Sequence, residues 1–170
     1  SSTRMRKFKR VIEGVDEVVA ANSFLARAAE RIAPEKKVHI IPSPVSADKY
    51  EKKENYELSS PPVIGWIGTK STLRYLDVTA DAFREIRKKR DFVLRVISDC
   101  EYSLAGIKVE NIRWSLERQF CEIRKFDIGI MPLSPDPFSE GKSAYKLLQY
   151  LAAGVPSVCS PVGMNCDVAG

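Results

Sequence analysis

The chain has 170 residues, 44% of them hydrophobic, and this length is enough to bury a core without disulfides or metals. Its net charge of +5 is modest, and its bases are not interleaved with aromatic residues, which argues against a nucleic-acid partner. No run of 18 apolar residues predicts a transmembrane helix, and no apolar segment of a signal peptide follows the basic start.

The cysteine spacing indicates whether the chain could bind a metal, and the basic N-terminal residues indicate where in the cell the protein could lie. The four cysteines show no C-x-x-C spacing, and His39 is the only histidine, so we expect reduced thiols and no metal site. The five bases among residues 1–10 are typical of a solvated helix end. Peripheral contact with an anionic membrane surface is the alternative. We therefore predict a cytoplasmic protein, and the alternative implies the inner face of the membrane.

The first 62 residues predict two strands, a helix and a connecting segment. The apolar runs at 17–22 and 37–42 are typical of short strands. Residues 23–33 have helical periodicity, with Ser23 as the expected N-cap. Residues 43–62 are polar, rich in Lys and Glu and flanked by prolines, which indicates a linker.

From residue 63 onward, short apolar strands alternate with helices. We predict strands at 63–68, 92–98, 106–114, 127–133 and 156–161, and helices at 71–90, 115–126 and 143–153. Such alternation is typical of a parallel sheet with helices on both faces, so we predict an α/β fold with a doubly wound, Rossmann-like sheet. The sequence stops where a further helix and more elements are expected, so we expect it to be a fragment.

The helix predicted at 143–153 carries its charges at an unfavourable end. Ser143 is the expected N-cap, and Lys142 and Lys146 flank the helix start, where the helix dipole is already positive. With Gln149 they follow i, i+4, i+7 spacing and would share one face. Lysines on a helix face usually contact only solvent. An anionic ligand, best a diphosphate, would remove the conflict.

Two other segments would follow strands at the edge of the sheet where parallel sheets bind ligands. The turn Gly68-Thr69-Lys70 leads into a helix. It either brings backbone N–H groups close to a phosphate or is an ordinary strand-to-helix turn. Trp114, followed by Ser115, either stacks on a nucleobase or ribose or packs in the core.

Three segments of the chain resemble, in order, the family 4 glycosyltransferases of the GT-B fold. The donor-binding segment of that family is similar to FDIGIMPL…DPFSEGKSAYKLLQYLAAGVPSVCSPVGMN here. The strand and glycine turn that open the same half look like VIGWIGTKSTLRYLD, and the end of the acceptor half looks like VVAANSFLARAAERI…KVHIIPSPVSADKY. The resemblance implies that residues 1–42 are a remnant of the N-terminal acceptor domain, 43–62 the interdomain linker, and 63–170 the donor-nucleotide-binding domain, truncated at its C-terminus.

The resemblance implies a hexosyltransferase, usually retaining, that needs no metal or further cofactor. Its donor would be a UDP- or GDP-linked sugar, and its acceptor a glycan or a lipid-linked molecule held by the N-terminal half, as in polysaccharide biosynthesis. The residues it implies at the donor diphosphate are Gly68, Thr69, Lys70, Lys142, Ala144, Tyr145 and Lys146. Gln149 stands where the family usually has a ribose-binding glutamate, and Glu140 is one residue from the usual sugar-binding position. Trp114 and Ser115 would lie near the nucleobase.

Other functions stay open at this point. A non-catalytic nucleotide-binding module would need the same binding residues, and a sugar-nucleotide epimerase of GT-B-like shape would need more acid/base residues than this chain shows. A receiver-like signalling domain would need acidic residues after the first strand of the sheet, where GTKST stands. No residue is assigned as catalytic. We expect this segment to bind donor without turning it over, because transfer needs both substrates in one cleft.

Overall fold

Residues 2–169, which a computed structural model describes apart from the side chain of Ser2, form two parallel sheets with surrounding helices. The strands in this part of the chain are β1 (Glu17–Ala20), β2 (Lys37–Ile40), β3 (Val63–Ile67), β4 (Val93–Ser98), β5 (Val109–Arg113), β6 (Ile128–Met131) and β7 (Ser157–Cys159). The helices are α1 (Ser2–Glu13), α2 (Ser23–Ile32), α3 (Arg74–Asp77), α4 (Ala80–Lys89), α5 (Gln119–Arg124), α6 (Pro137–Glu140), α7 (Tyr145–Ala152) and α8 (Met164–Ala169), with 3₁₀ turns at Ala47–Lys49 and Lys70–Thr72. Each helix within residues 2–169 is too short or too polar to cross a membrane.

The larger sheet has five parallel strands in the order β5-β4-β3-β6-β7. The chain therefore starts in the middle at β3, runs outward through β4 and β5, and returns to add β6 and β7 on the other side. This order has a switch point between β3 and β6, and ligands of doubly wound sheets bind outside the carboxyl ends of the strands at that point. The predicted α/β fold with a doubly wound parallel sheet is confirmed.

Strand β3 is buried along its whole length, as expected for a central strand covered on both faces. Its alternate side chains enter two separate cores. Ile67 packs on one face with Tyr150 of α7, and Trp66 packs on the other face with Leu76 and Phe83 of the helices that follow β3. The apolar run predicted as a strand thus serves both layers of helices.

Two glycines that face each other in the sheet bring two aromatic rings close to the backbone. Gly65 of β3 pairs with Gly129 of β6. A Cβ atom at Gly65 would lie 1.9 Å from the ring of Phe126, and one at Gly129 would lie 2.7 Å from the ring of Tyr150. The two rings pack edge to face with their centroids 6.0 Å apart. The absence of side chains at these two positions is therefore what seats α7 against the sheet.

The hydroxyl of Tyr150 bridges the two strands at the switch point. Ladder pairing of β3 with β6 covers Ile64–Ile128 and Gly65–Gly129. Beyond these pairs the Ile67 N–H donates to the Tyr150 hydroxyl at 3.3 Å, and that hydroxyl donates to the Ile130 carbonyl at 3.1 Å. A side chain of α7 thus replaces a direct strand-to-strand bond, which ties this helix to the carboxyl ends of β3 and β6.

The helix predicted at 71–90 is wrong in one respect, because the structure interrupts it after Asp77. The Thr79 hydroxyl donates to the Leu76 carbonyl at 2.7 Å, and the Thr79 N–H donates to the same oxygen at 3.0 Å. A threonine hydroxyl that binds a nearby carbonyl competes with the helical hydrogen bonds. The helix restarts at Ala80 as α4.

The N-terminal unit, residues 2–40, has a small core of its own on one face of the two-stranded sheet β1–β2. Ile12 of α1, Val18 of β1 and Ala29 of α2 form that core. The other face of this sheet is open, with Val19 63% exposed. Helix α2 is capped by the Asn22 side chain, which accepts the Leu25 N–H, and not by Ser23 as predicted.

The segment at 43–62, predicted as a linker, packs along the amino edge of the larger sheet. Tyr50 is buried in the core under α7. The Lys53 ammonium donates to the Phe126 carbonyl at 2.7 Å and to the Asp127 carboxylate at 3.1 Å, and both side chains are largely buried. The same carboxylate accepts the Val63 N–H at 2.8 Å. The domain boundaries themselves stay a prediction.

We expect acid to remove the contribution of Asp127 to stability. Burial alone would raise the pKa of this carboxyl, but the Val63 N–H, the Lys53 ammonium and the Ser59 N–H together hold the pKa below its usual value. A lowered pKa stabilises the fold above the unfolded-state pKa of about 3.9, and this is lost as the pH falls through the folded-state pKa. Thermal unfolding midpoints should therefore fall more steeply below about pH 5 in the wild type than in Asp127→Asn.

The matched control for this measurement is Asp81→Asn. The Asp81 side chain is 96% exposed, so the variant should follow the wild-type pH dependence. Equal slopes for the wild type and Asp127→Asn would contradict the assignment.

Candidate functional site

A cleft of about 460 Å³ opens at the carboxyl ends of β3, β4 and β5, next to the start of α7. Its position is the switch point of the sheet, where ligand binding is expected. Six residues predicted for the site line this cleft, namely Gly68, Thr69, Trp114, Tyr145, Lys146 and Gln149. Thr72, which follows in the same turn, also lines it, as do Asp99 and Gln119, which were not predicted. The cleft thus brings together segments that are up to about 80 residues apart in the chain.

The chain approaches α7 through a backbone conformation that favours anion binding. Ala144, directly before the helix, has the left-handed angles φ 51° and ψ 24° and is 1% exposed. Non-glycine residues rarely adopt this conformation, and those that do cluster at functional sites. A left-handed residue next to right-handed ones directs successive N–H groups to a common point, which forms an anion-binding concavity. The N-cap is therefore Ala144 and not Ser143, and the helix starts at Tyr145.

Five consecutive N–H groups at this start have no acceptor. Within residues 2–169, the N–H groups of residues 143–147 form no hydrogen bond, and the first to do so is Leu148, which donates to the Ala144 carbonyl at 3.2 Å. An ordinary helix start leaves such donors to capping side chains or water. Here no side chain caps them. We call these five N–H groups the α7 nest.

Lys146 lies at the α7 nest and lines the cleft. Its Nζ is 5.2 Å from the centre of the Trp66 ring. None of the ion pairs within residues 2–169 includes Lys146. Burial, and then the charge of Lys142, lower the pKa of Lys146 to about 8. A partly desolvated, unpaired cation beside a positive helix start is electrostatically unfavourable, and a bound anion would relieve this.

Lys142 occupies a neighbouring position outside the cleft lining. Its Nζ lies 4.6 Å from the centre of the Phe138 ring and 5.4 Å from that of Tyr75. Burial lowers its pKa. The helical spacing predicted for Lys142, Lys146 and Gln149 is wrong because Lys142 precedes the helix. It follows α6, a short helix that the sequence did not predict and that begins after a capping aspartate.

Trp114 stands at the rim of the cleft and is 44% exposed, so of the two alternatives for this residue, packing in the core does not hold, and its contact with a nucleobase stays a prediction. Its Nε1 donates to Gln119 Oε1 at 3.3 Å, and Gln149 Nε2 donates to the same oxygen at 3.2 Å. Within this three-residue wall, Trp114 keeps part of its surface exposed. Gln149 is buried, so its role at a ribose stays a prediction. Ser115 accepts the Arg118 N–H at 3.1 Å and does not line the cleft.

The turn after β3 differs from the α7 nest because its N–H groups are occupied. They donate within the chain, from Gly68 to the Ile97 carbonyl (3.0 Å), from Thr69 to Thr72 Oγ1 (3.3 Å) and from Lys70 to Asp99 Oδ1 (2.7 Å). A Cβ atom at Gly68 would lie 2.4 Å from the Trp66 ring, so the glycine is needed for packing. The bond from the Lys70 N–H lowers the pKa of Asp99. Because these backbone N–H groups already have acceptors, only the side chains of this turn remain to contact a diphosphate, as predicted for it.

Glu140 lies on the other side of the loop that leads to α7. It lines a separate hollow of about 350 Å³ between this loop, the N-terminal unit and the start of α8. Its carbonyl accepts a hydrogen bond from Asn22 Nδ2 at 3.1 Å. The sequence did not indicate Asn22, because its partner lies 118 residues away.

A larger groove, of about 620 Å³, lies at the opposite, amino edge of the sheet. Four of its cations are already paired with carboxylates, as Lys53–Asp127, Arg95–Glu110, Arg124–Glu51 and Lys125–Glu122. Paired charges have little left to attract an anionic ligand. The cleft at the switch point is therefore the better candidate site.

Within residues 2–169, no three His, Cys, Asp or Glu side chains come together in a way that could hold a metal ion. The cysteines are all free. The chain matches no family model and no curated protein. The fold and the geometry of the cleft are therefore the basis for a functional proposal.

Proposed function

We propose that this chain is the donor-binding part of a glycosyltransferase and holds the diphosphate of a UDP- or GDP-linked sugar at the α7 nest. One observation carries the proposal: the cleft at the carboxyl end of β3 is lined by Lys146, which forms no ion pair within residues 2–169, and by the start of α7, whose N–H groups have no acceptor there. Nucleoside diphosphates are small, strongly anionic ligands with several acceptor oxygens, which such a site satisfies. The resemblance to family 4 glycosyltransferases supports the transfer of a sugar rather than another use of the nucleotide.

The same groups would assist the reaction. As an acceptor hydroxyl attacks the anomeric carbon, the bond from that carbon to the diphosphate breaks, and negative charge grows on the leaving phosphate. Fixed N–H dipoles and a partly desolvated cation stabilise this developing charge more than the ground state. Lys146 and the α7 nest would therefore act on the leaving group, with Lys142 as a second cation nearby.

The remaining wall of the cleft suits a nucleoside. Trp114, which is partly exposed at the rim of the cleft, could stack on the base, and base–aromatic stacking contributes about 1–3 kcal/mol. The N-terminal unit contacts the loop before α7. A glycan or lipid-linked acceptor would approach the cleft from the side of this unit. A base for the acceptor hydroxyl would come from that acceptor side.

Calorimetric titration of the chain with UDP, GDP and UMP tests this proposal. We expect both diphosphates to bind more tightly than UMP, which lacks the second phosphate. We also expect UDP affinity to fall about tenfold per pH unit above about pH 8, because the free Lys146 loses its proton there. The diphosphate of UDP keeps a constant charge in this range, since its terminal phosphate has a pKa of about 6.

Lys146→Arg is the matched control, because arginine stays charged throughout and should remove the pH dependence. No binding of either diphosphate, or a pH dependence that persists in Lys146→Arg, would contradict the proposal. A transfer assay on the protein with its acceptor half separates the transferase from a non-catalytic nucleotide-binding module.

A further inference from the structure

Asn22 connects the N-terminal unit to the loop before α7 through both ends of its amide. The residue is 5% exposed. Its Oδ1 accepts the Leu25 N–H at 2.9 Å and so caps α2. Its Nδ2 donates to the carbonyls of Glu140 and Lys142, each at 3.1 Å. One buried side chain therefore joins a helix of the N-terminal unit to a loop of the larger domain.

The bond to Lys142 has a direct consequence for the α7 nest. In a trans peptide the carbonyl and the next N–H point in opposite directions. Holding the Lys142 carbonyl toward α2 therefore directs the Ser143 N–H away from α2. That N–H is the first of the five unpaired donors. Asn22 thus fixes the orientation of the peptide at which the α7 nest begins.

Packing encloses the same loop on two further sides. A Cβ atom at Gly141 would lie 3.2 Å from the Leu25 side chain. A Cβ atom at Gly163, which has a positive φ of 55°, would lie 3.1 Å from the Glu140 carbonyl. The left-handed Ala144 follows directly. Several contacts from separate elements are what a rarely adopted backbone conformation needs to persist.

We propose that Asn22 is a positioning residue for the diphosphate, which holds the loop in the nest conformation and couples the N-terminal unit to occupancy of the cleft. This inference rests on the proposed function. The coupling is reciprocal by thermodynamic necessity. If Asn22 favours the binding-competent loop, a bound anion favours the bonds of Asn22. Anion binding should therefore also slow amide hydrogen exchange at the start of α2.

Asn22→Ser separates the two roles of the side chain. Serine can still cap α2 with its hydroxyl but cannot reach the two carbonyls as a double donor. We expect pyrophosphate and UDP to bind about tenfold more weakly, and the unfolding midpoint without ligand to fall, because two carbonyls lose their donor while α2 keeps its cap. Asn111→Ser is the control, because the exposed Asn111 also donates from its amide to a backbone carbonyl, that of Tyr102, away from α7. Its affinity for pyrophosphate should equal that of the wild type.

Hydrogen exchange of wild-type protein provides a readout that a purely structural role would not move. Pyrophosphate should slow amide exchange at residues 23–26 in the wild type, and this protection should disappear in Asn22→Ser. Wild-type affinity in Asn22→Ser, or unchanged exchange at residues 23–26 with pyrophosphate bound, would overturn the inference while the proposed function stands. If wild-type protein binds neither UDP nor pyrophosphate, the proposed function fails and this inference fails with it. Should Asn22→Ser not fold, the wild-type exchange measurement decides alone.

Discussion

Replacing Lys146 by alanine should weaken the binding of UDP or GDP by about 1.5–3 kcal/mol, which is the usual contribution of a charge-assisted hydrogen bond. The residue lies in the cleft, forms no ion pair among residues 2–169, and has its pKa lowered by burial. A bound diphosphate would supply the missing charge. Titration calorimetry of the variant against both nucleotides measures the loss.

The stability of the ligand-free fold should hold or rise slightly in the same variant. Lys146→Ala removes a partly buried cation from the positive end of α7, where both burial and the helix dipole oppose the charge. Replacing a residue that is needed only for folding would instead lower the stability of the ligand-free protein. Loss of affinity together with unchanged or higher stability therefore identifies a ligand-binding lysine.

Two further lysine variants complete this test. Lys142→Ala should act in the same direction but more weakly, because Lys142 lies outside the cleft lining, and its effect should overlap with that of Lys146→Ala. Lys89→Ala, at the exposed end of α4, should leave the affinity unchanged. Wild-type affinity in both Lys146→Ala and Lys142→Ala would show that these lysines contact only solvent.

Much of the fold follows from the apolar periods of the sequence. The runs that became β3, β4 and β6 are short, continuous and bounded by turns, which is typical of buried parallel strands. The break between α3 and α4 was missed because a single hydroxyl, that of Thr79, decides it. The capping of α2 by Asn22 instead of Ser23 lies within the usual uncertainty of helix ends.

The candidate site was predictable only in part. Lys146 stood out because a cation at a helix start conflicts with the dipole. The left-handed Ala144 gave no signal, since alanine rarely adopts that conformation and tertiary contacts impose it here. Asp99 could have been found, because it directly follows β4 at the ligand edge of the sheet. Its bond to the Lys70 N–H could not, because the two residues lie 29 positions apart.

Gly65→Ala should be the most damaging single-methyl change in the larger sheet, with a loss of about 3 kcal/mol in the free energy of unfolding. The new Cβ would lie 1.9 Å from the Phe126 ring, which is fully buried, so the ring would have to shift within a packed core. Gly129→Ala should act in the same way through the Tyr150 ring, at 2.7 Å. Because Tyr150 belongs to α7, displacement of its ring should also move the α7 nest and weaken UDP binding. Urea unfolding and UDP titration of both variants measure the two effects.

The control and the rescue both come from the chain itself. Gly106→Ala places a methyl group where no atom lies within 4 Å, so it should cost only about 1–2 kcal/mol, from the positive φ of 80°. The double variant Gly65→Ala/Phe126→Leu should recover part of the stability, since it removes ring atoms where the new methyl group needs room. If Gly65→Ala destabilises no more than Gly106→Ala, the close approach of Phe126 to β3 does not determine how α7 is seated. In that event the position of Lys146 at the switch point would have to depend on the Tyr150 hydroxyl bridge between β3 and β6.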